Sequence, residues 1–178
     1  ESHRCTRYSP CFVRRKTHLL VLFLFSCFIC AELYAACTDV AAPKANWRRC
    51  YFDGNILKEV ALMESILRDA TFSRGNLSKS NLSKVQGNRA KFISAVLEET
   101  IFDEAILIEA DFTKSNLKNA SFKNADLRRA RFFGADLTGA DFTGANLDGT
   151  DFMNANLSGV TWVDGKKICS HGSKSRCR

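Results

Sequence analysis

Carboxylates are the groups most able to do chemistry in this chain. Asp111, Asp126, Asp136, Asp141 and Asp151 recur through its second half, and paired carboxylates can perform acid–base work or hold a cation. Every interval between them is a multiple of five. Each therefore occupies the same position of a repeat, where Asp and Asn hydrogen-bond their own backbone at a turn. Gly134, Gly139, Gly144, Gly149 and Gly159 recur in the same way. They imply tight corners with permissive φ, because a phosphate-cradling loop would need a following Lys-Ser/Thr that is missing. Of three histidines only His171 lies beyond residue 35, so no Ser/His/Asp set can form there. The expectation is no catalytic residue, no cofactor, no bound metal and no enzyme.

Cysteines are the other reactive groups. Cys5, Cys11, Cys27 and Cys30 precede Cys37, Cys50, Cys169 and Cys177. The later four lack a C-x-x-C spacing and have only His171 for company, which argues against zinc. They read as disulfide cysteines of an oxidising compartment. Four cysteines allow three connectivities, and sequence alone does not choose among them. Loop closure favours the local pairs, Cys37–Cys50 and Cys169–Cys177.

The elements that must position these groups follow from a period of five. From Trp47 to Trp162 there are 24 positions five residues apart, and 23 hold Phe, Leu or Trp. The exception is Gly87. A helix turns about 100° per residue, so a five-residue step smears around its surface. In a strand, residues five apart face opposite sides. Only a chain that bends once per pentad around a common axis, as a solenoid, can bury this ladder.

Charges set the number of pentads per coil. Residues stacked one coil apart should avoid like charge. Within residues 47–164, charged pairs twenty apart are opposite in 14 cases and alike in one. At spacings of 15 and 25 the counts are nine against five and nine against four. Four pentads therefore close a coil, giving about six coils and a rod roughly 29 Å long. The core ladder Phe52, Phe72, Phe92, Phe112, Phe132 and Phe152 then stacks on one side.

Stretches such as Ala110-Asp111-Phe112, Ala125-Asp126-Leu127, Ala135-Asp136-Leu137, Ala140-Asp141-Phe142 and Ala145-Asn146-Leu147 resemble the pentapeptide repeat family, whose consensus is A-(D/N)-L/F-x-x. The resemblance covers about residues 45–164 and is strict from Ala105 on. It implies an all-β solenoid, a right-handed quadrilateral β-helix.

The first segment differs. Arg14, Arg15 and Lys16 precede an apolar run from Leu19 to Ala31, followed by Leu33, Tyr34 and Ala35. This is the layout of a secretory signal peptide cut after Ala35, and the apolar run is shorter than the ~20 residues of a membrane span. Tyr34 fits a lipoprotein signal before Cys37 poorly, so free export to the periplasm or medium is expected. The reading is upstream, non-native sequence at 1–12 with a start at Val13, a signal peptide at 13–35, an N-terminal cap at 36–46, the β-helix at 47–162 and a C-terminal cap or tail at 163–178. Trp47 and Trp162 close the apolar ladder beside these Cys-bearing caps.

Gly87 leaves a Leu-sized site empty, and an unfilled site of that kind costs about 2–5 kcal/mol. Either Val85 turns inward to fill it or Gln86–Arg89 bulges. Apolar residues that the ladder does not explain include Ile93, Phe133, Met153, Ile106 and Ile108, and an apolar patch on a polar rod marks a protein interface. The net charge is +7 for the whole chain. Residues 47–164 carry 15 basic and 16 acidic residues, or −1, so the excess falls outside the repeat. The function expected is an exported, non-catalytic structural or protein-binding module whose partner is a protein of unknown identity. Nucleic acid is not the expected partner, and membrane contact is expected only through the signal segment. The alternative is a DNA-mimicking inhibitor or protector of topoisomerase (gyrase), as some members of the family are. That role needs a sustained negative field, which alternating columns such as Lys91, Asp111, Arg131 and Asp151 do not make.

Overall fold

A computed structural model describes Cys37 and residues 39–178. The upstream sequence and signal peptide expected at 1–35 lie outside the described residues.

Twenty isolated parallel bridges join residue i to residue i+20, from Asn46↔Ile66 to Asp141↔Thr161. Each pentad has one bridge residue, then the apolar ladder residue, then a two-residue turn. The bridges never extend into strands among the described residues, because a turn interrupts the chain every fifth residue. The all-β expectation is refined accordingly: this is a β-helix of single-residue bridges.

Backbone accounting explains the repeat. In the Phe92 pentad, Lys91 N donates to Ala70 O one coil back (2.9 Å), while Phe92 N and Ser94 N donate to Asp111 O and Thr113 O one coil on (2.7 and 2.9 Å). Ala95 N closes the turn on Phe92 O at 3.1 Å. One N–H per pentad is left over, on the first turn residue. An Asp or Asn at the bridge position takes it: Thr113 N donates to Asp111 Oδ1 (2.9 Å), Thr143 N to Asp141 Oδ1 (2.8 Å) and Met153 N to Asp151 Oδ1 (2.8 Å). The aspartates that looked catalytic are satisfying their own backbone.

The second turn residue has φ between 54° and 73° at every fifth position from Arg49 to Gly159. Positive φ at the third of four turn residues is the type II pattern. The non-glycine occupants are Arg, Lys, Glu, Asp, Asn and Ser, with no β-branched or aromatic side chain, as the left-handed region requires.

Inside, the Phe ladder stacks as expected, with ring centroids 4.9–5.3 Å apart from Phe52 to Phe152. A second stack, Phe102, Phe122 and Phe142, meets it edge to face at centroid distances of 5.7–5.9 Å. Most of the residues two before a ladder position are small and buried with it, and hydroxyls among them find backbone partners. Thr100 Oγ1 donates to Leu77 O (2.9 Å) and Ser80 Oγ to Leu57 O (2.8 Å).

At Gly87 the expected bulge does not occur: Gly87 N donates to Ile106 O (2.8 Å) and Arg89 N to Ile108 O (2.9 Å), in register with every other coil. Val85 is buried, as is its whole register. The space over Gly87 is taken from the next coil, by Leu107, whose Cδ2 would stand 2.8 Å from a Cβ at position 87.

Disulfides tie down both ends. Cys37–Cys50 has a Cα separation of 5.5 Å and Cys169–Cys177 one of 4.8 Å. After Trp162 the chain folds back as an antiparallel strap, with Ile168 bridging Thr161 and Lys174 bridging Asn156. Trp47 is buried against Phe52 at a centroid distance of 4.3 Å, and the half-buried Trp162 meets Phe152 at 5.8 Å.

Candidate functional site: two adjacent faces of the rod

Each coil has four outward faces, named here by one ladder residue each: Leu107, Phe112, Leu117 and Phe122. The twenty-residue register places Ile93, Phe133 and Met153 in one column of the Phe112 face, with Thr113 between Ile93 and Phe133. Met153 is 57% exposed, while Ile93 and Phe133 are half-buried between neighbours. Ile106 and Ile108 lie on the adjacent Leu107 face, Ile106 at 41% exposure and Ile108 half-buried. The two groups thus lie on adjacent faces, which meet at the corner formed by the turn column of Ile108 and Glu109.

A surface groove of about 360 Å³ runs along that corner, lined by Arg89, Lys91, Glu109, Asp111, Arg129 and Arg131. Four cations face two carboxylates. Arg89 grips Asp69 through Nε (2.7 Å) and Nη2 (3.1 Å), and that bond holds the Asp69 carboxyl below its ordinary pKa against the opposing effect of burial. Arg129 pairs with Glu109 at 3.3 Å and Arg131 with Asp111 at 3.4 Å. The columns expected to alternate in sign do so, but four of the fourteen opposite-charge pairs come within ion-pair distance: Asp69–Arg89, Lys84–Glu104, Glu109–Arg129 and Asp111–Arg131.

One feature of this region was not read from the sequence, although the period carries it. The repeat contains eight arginines, and all lie on these two faces. Arg48, Arg49, Arg68, Arg89, Arg128 and Arg129 are on the Leu107 face, and Arg74 and Arg131 on the Phe112 face. The Leu107 face has no lysine, whereas the Leu117 face has Lys58, Lys79 and Lys118 and no arginine. Sorting charged residues by position within a twenty-residue coil reveals this segregation; sorting by sign alone hides it.

No group of three or more His, Cys, Asp or Glu side chains among the described residues is arranged to hold a metal ion. Residues 85–162 match the family profile described as a pentapeptide repeat region, and residues 65–103 match that of pentapeptide repeats in eight copies. The chain belongs to the pentapeptide repeat family.

Among solved structures, this pentapeptide repeat protein is similar to Rfr23 from the cyanobacterium Cyanothece 51142. The identity is 27% and the TM-score 0.56, over 60% of this chain and 84% of that one. It is also similar to HetL from Nostoc sp. strain PCC 7120, involved in heterocyst differentiation regulation, at 24% identity and TM-score 0.49. That match covers 69% of this chain and 64% of HetL, so the chain spans under two thirds of that relative's length. A pentapeptide repeat protein of the Arabidopsis thaliana thylakoid lumen matches at 20% identity and TM-score 0.43, over 73% of this chain and 85% of that one. A comparison with curated protein sequences finds no match.

Proposed function

We propose that this pentapeptide repeat protein is an exported, non-catalytic rod of about six right-handed coils that binds a protein partner through its Leu107 and Phe112 faces. The observation that carries the reading is the concentration of arginine on the Leu107 face, which holds six of the eight arginines of the repeat and no lysine. Protein interfaces are enriched in Arg and large apolar side chains and depleted in Lys. The guanidinium is planar, weakly hydrated and able to hold a carboxylate through two bonds, whereas an ammonium is a strongly hydrated point charge. Arg89 already holds Asp69 in this two-bond manner. Export is supported by the basic, apolar and small-residue order of residues 14–35 and by the two disulfides. DNA mimicry is not favoured: the repeat is near neutral and its charged columns alternate in sign, so it makes no sustained negative field.

The test is affinity capture from the native envelope fraction with the full, disulfide-intact chain. Three forms are compared: parent, Arg89→Ser/Arg129→Ser/Ile106→Ser on the Leu107 face, and Lys79→Ser/Lys118→Ser on the Leu117 face. A partner kept by the parent and the lysine variant but lost by the arginine variant, with unchanged thermal unfolding, supports the reading. Ile93→Ser/Phe133→Ser should likewise weaken capture while the rod stays folded. Equal capture by all forms, or no protein that distinguishes them, rejects it.

A further inference from the structure

We propose that the C-terminal end of the rod is a docking surface for an anionic lipid bilayer, separate from the protein-binding faces. Residues 163–178 carry Lys166, Lys167, Lys174, Arg176 and Arg178 against a single acid, Asp164, a balance of +4 in a strap that covers the end of a nearly neutral repeat. All five cations are exposed. The eight ion pairs among the described residues join partners between Lys44 and Asp141, and none involves these five. Asp164 makes no ion pair with them. Its Oδ1 accepts from the backbone N–H groups of Lys166 (2.9 Å) and Lys167 (2.8 Å).

The strap is rigid. Leu157 N, Gly159 N and Trp162 N donate to Ser173 O, Cys169 O and Lys167 O at 2.8–2.9 Å, and Cys169–Cys177 closes it. Lys167 Nζ also reaches Cys177 O at 3.3 Å, linking the two legs. The cations are therefore held on a fixed platform, which lowers the entropy lost on binding.

Ile168 decides the kind of partner. It stands 65% exposed beside Lys166 and Lys167. The bridge to Thr161 and the disulfide at Cys169 keep that segment on the outside of the strap. An exposed aliphatic side chain beside Lys166 and Lys167, on a strap carrying five cations, suits a surface with anionic headgroups above hydrocarbon. A nucleic acid phosphate backbone offers the charge but no apolar layer for Ile168.

The experiment uses the full chain with vesicles of phosphatidylcholine alone and of about three parts phosphatidylcholine to one of phosphatidylglycerol, so that partitioning by the apolar run at 19–31 appears in both. The parent should bind the anionic vesicles more tightly, and this increment should fade with salt. Lys166→Ser/Lys174→Ser/Arg176→Ser/Arg178→Ser leaves Lys167 in place and should weaken the increment by roughly fivefold per cation removed. Ile168→Ser should weaken binding at unchanged charge. Lys58→Ser/Lys79→Ser/Lys114→Ser/Lys123→Ser, with as many cations removed from the sides, should keep it. Near-ultraviolet circular dichroism of Trp47 and Trp162 reports folding of each variant. Equal losses from strap and side variants, an Ile168→Ser form that binds like the parent, or binding to duplex DNA without binding to the anionic vesicles would overturn the proposal.

Discussion

Leu107 covers Gly87 from the coil above, with its Cδ2 2.8 Å from the place a Cβ on residue 87 would occupy. The missing Leu is thus replaced by the inclination of its stacking neighbour, without any change of backbone register. This gives a prediction of opposite signs. Gly87→Ala alone should destabilise the rod by about 1 kcal/mol, because the added methyl displaces a packed side chain. Leu107→Ala should cost about 4–5 kcal/mol, the upper part of the range, since its neighbour below has no side chain to relax into the hole. In the Leu107→Ala background, Gly87→Ala should become stabilising. Urea unfolding of the four forms gives the coupling, and additive effects would contradict the packing described.

Phe112 lies at the centre of the aromatic interior. It stacks on Phe92 and Phe132 at centroid distances of 5.0 and 4.9 Å and meets Phe102 and Phe122 edge to face at 5.7 and 5.8 Å. Phe152 stacks on one side only, against Phe132, meets Phe142 edge to face at 5.9 Å and Trp162 at 5.8 Å, and is half-buried. Phe112→Ala should therefore cost about 3–5 kcal/mol and Phe152→Ala roughly half that, read from the same denaturant midpoints. Equal losses at the two sites would mean that the ends are packed as tightly as the middle.

The ladder, the twenty-residue coil and the end disulfides were legible because each depends on where the backbone carries a residue, and that repeats. Details set by side-chain reach were not. The filling of Gly87 depends on a Leu rotamer one coil away. Of the fourteen opposite charges in register, most stay apart: Arg49 and Asp69 make no ion pair, because Asp69 is already held by Arg89. Lys118 and Lys123 instead pair eighteen residues on, with Asp136 and Asp141. The strap over Leu157 and Trp162 has no period at all, so only its cysteines announced it.

Gly144 and Gly54 share a positive φ, 71° and 73°, but differ in surroundings. A Cβ at Gly54 meets nothing within 4 Å, while one at Gly144 collides with Oδ1 of Asn124 in the coil below. Gly54→Ala should cost only the backbone penalty, about 1–2 kcal/mol. Gly144→Ala should cost more, and Asn124→Gly should bring it back to the Gly54 value. Thermal unfolding of these variants separates backbone strain from collision.

Acid should weaken the rod in a defined direction. Asp69 and Asp126 are held below their ordinary pKa by the guanidinium hydrogen bonds of Arg89 and Arg128. In Asp136 and Asp141 burial pushes upward, but hydrogen bonds from Thr138 and Thr143 and the nearby Lys118 and Lys123 outweigh it. A carboxyl with a folded pKa below its unfolded value stabilises fully above about pH 4 and loses that contribution as pH falls through the folded value. Melting temperature should be flat from neutrality to about pH 5 and then decline. Asp136→Asn/Asp141→Asn should flatten the decline while keeping the turn acceptor. A stability that rises on acidification would contradict the sign.

The strap is the part of the molecule whose loss should be local. Leu157 N, Gly159 N and Trp162 N find their acceptors only in residues 167–173, whereas Phe112 N donates within the repeat, to Arg131 O. Opening Cys169–Cys177 frees a short loop, and in the chain-entropy account such a link restricts the unfolded strap by about 3 kcal/mol. A repeat rod is stabilised mostly by contacts between adjacent coils, so the damage should stay at that end. In Cys169→Ser/Cys177→Ser, amide exchange at Leu157, Gly159 and Trp162 should accelerate at least tenfold, roughly 1.4 kcal/mol or more of local stability. Exchange at Phe112 and Phe92 should hold at the parent rate. Uniform acceleration along the chain would instead show that the strap is part of the rod's global cooperative unit.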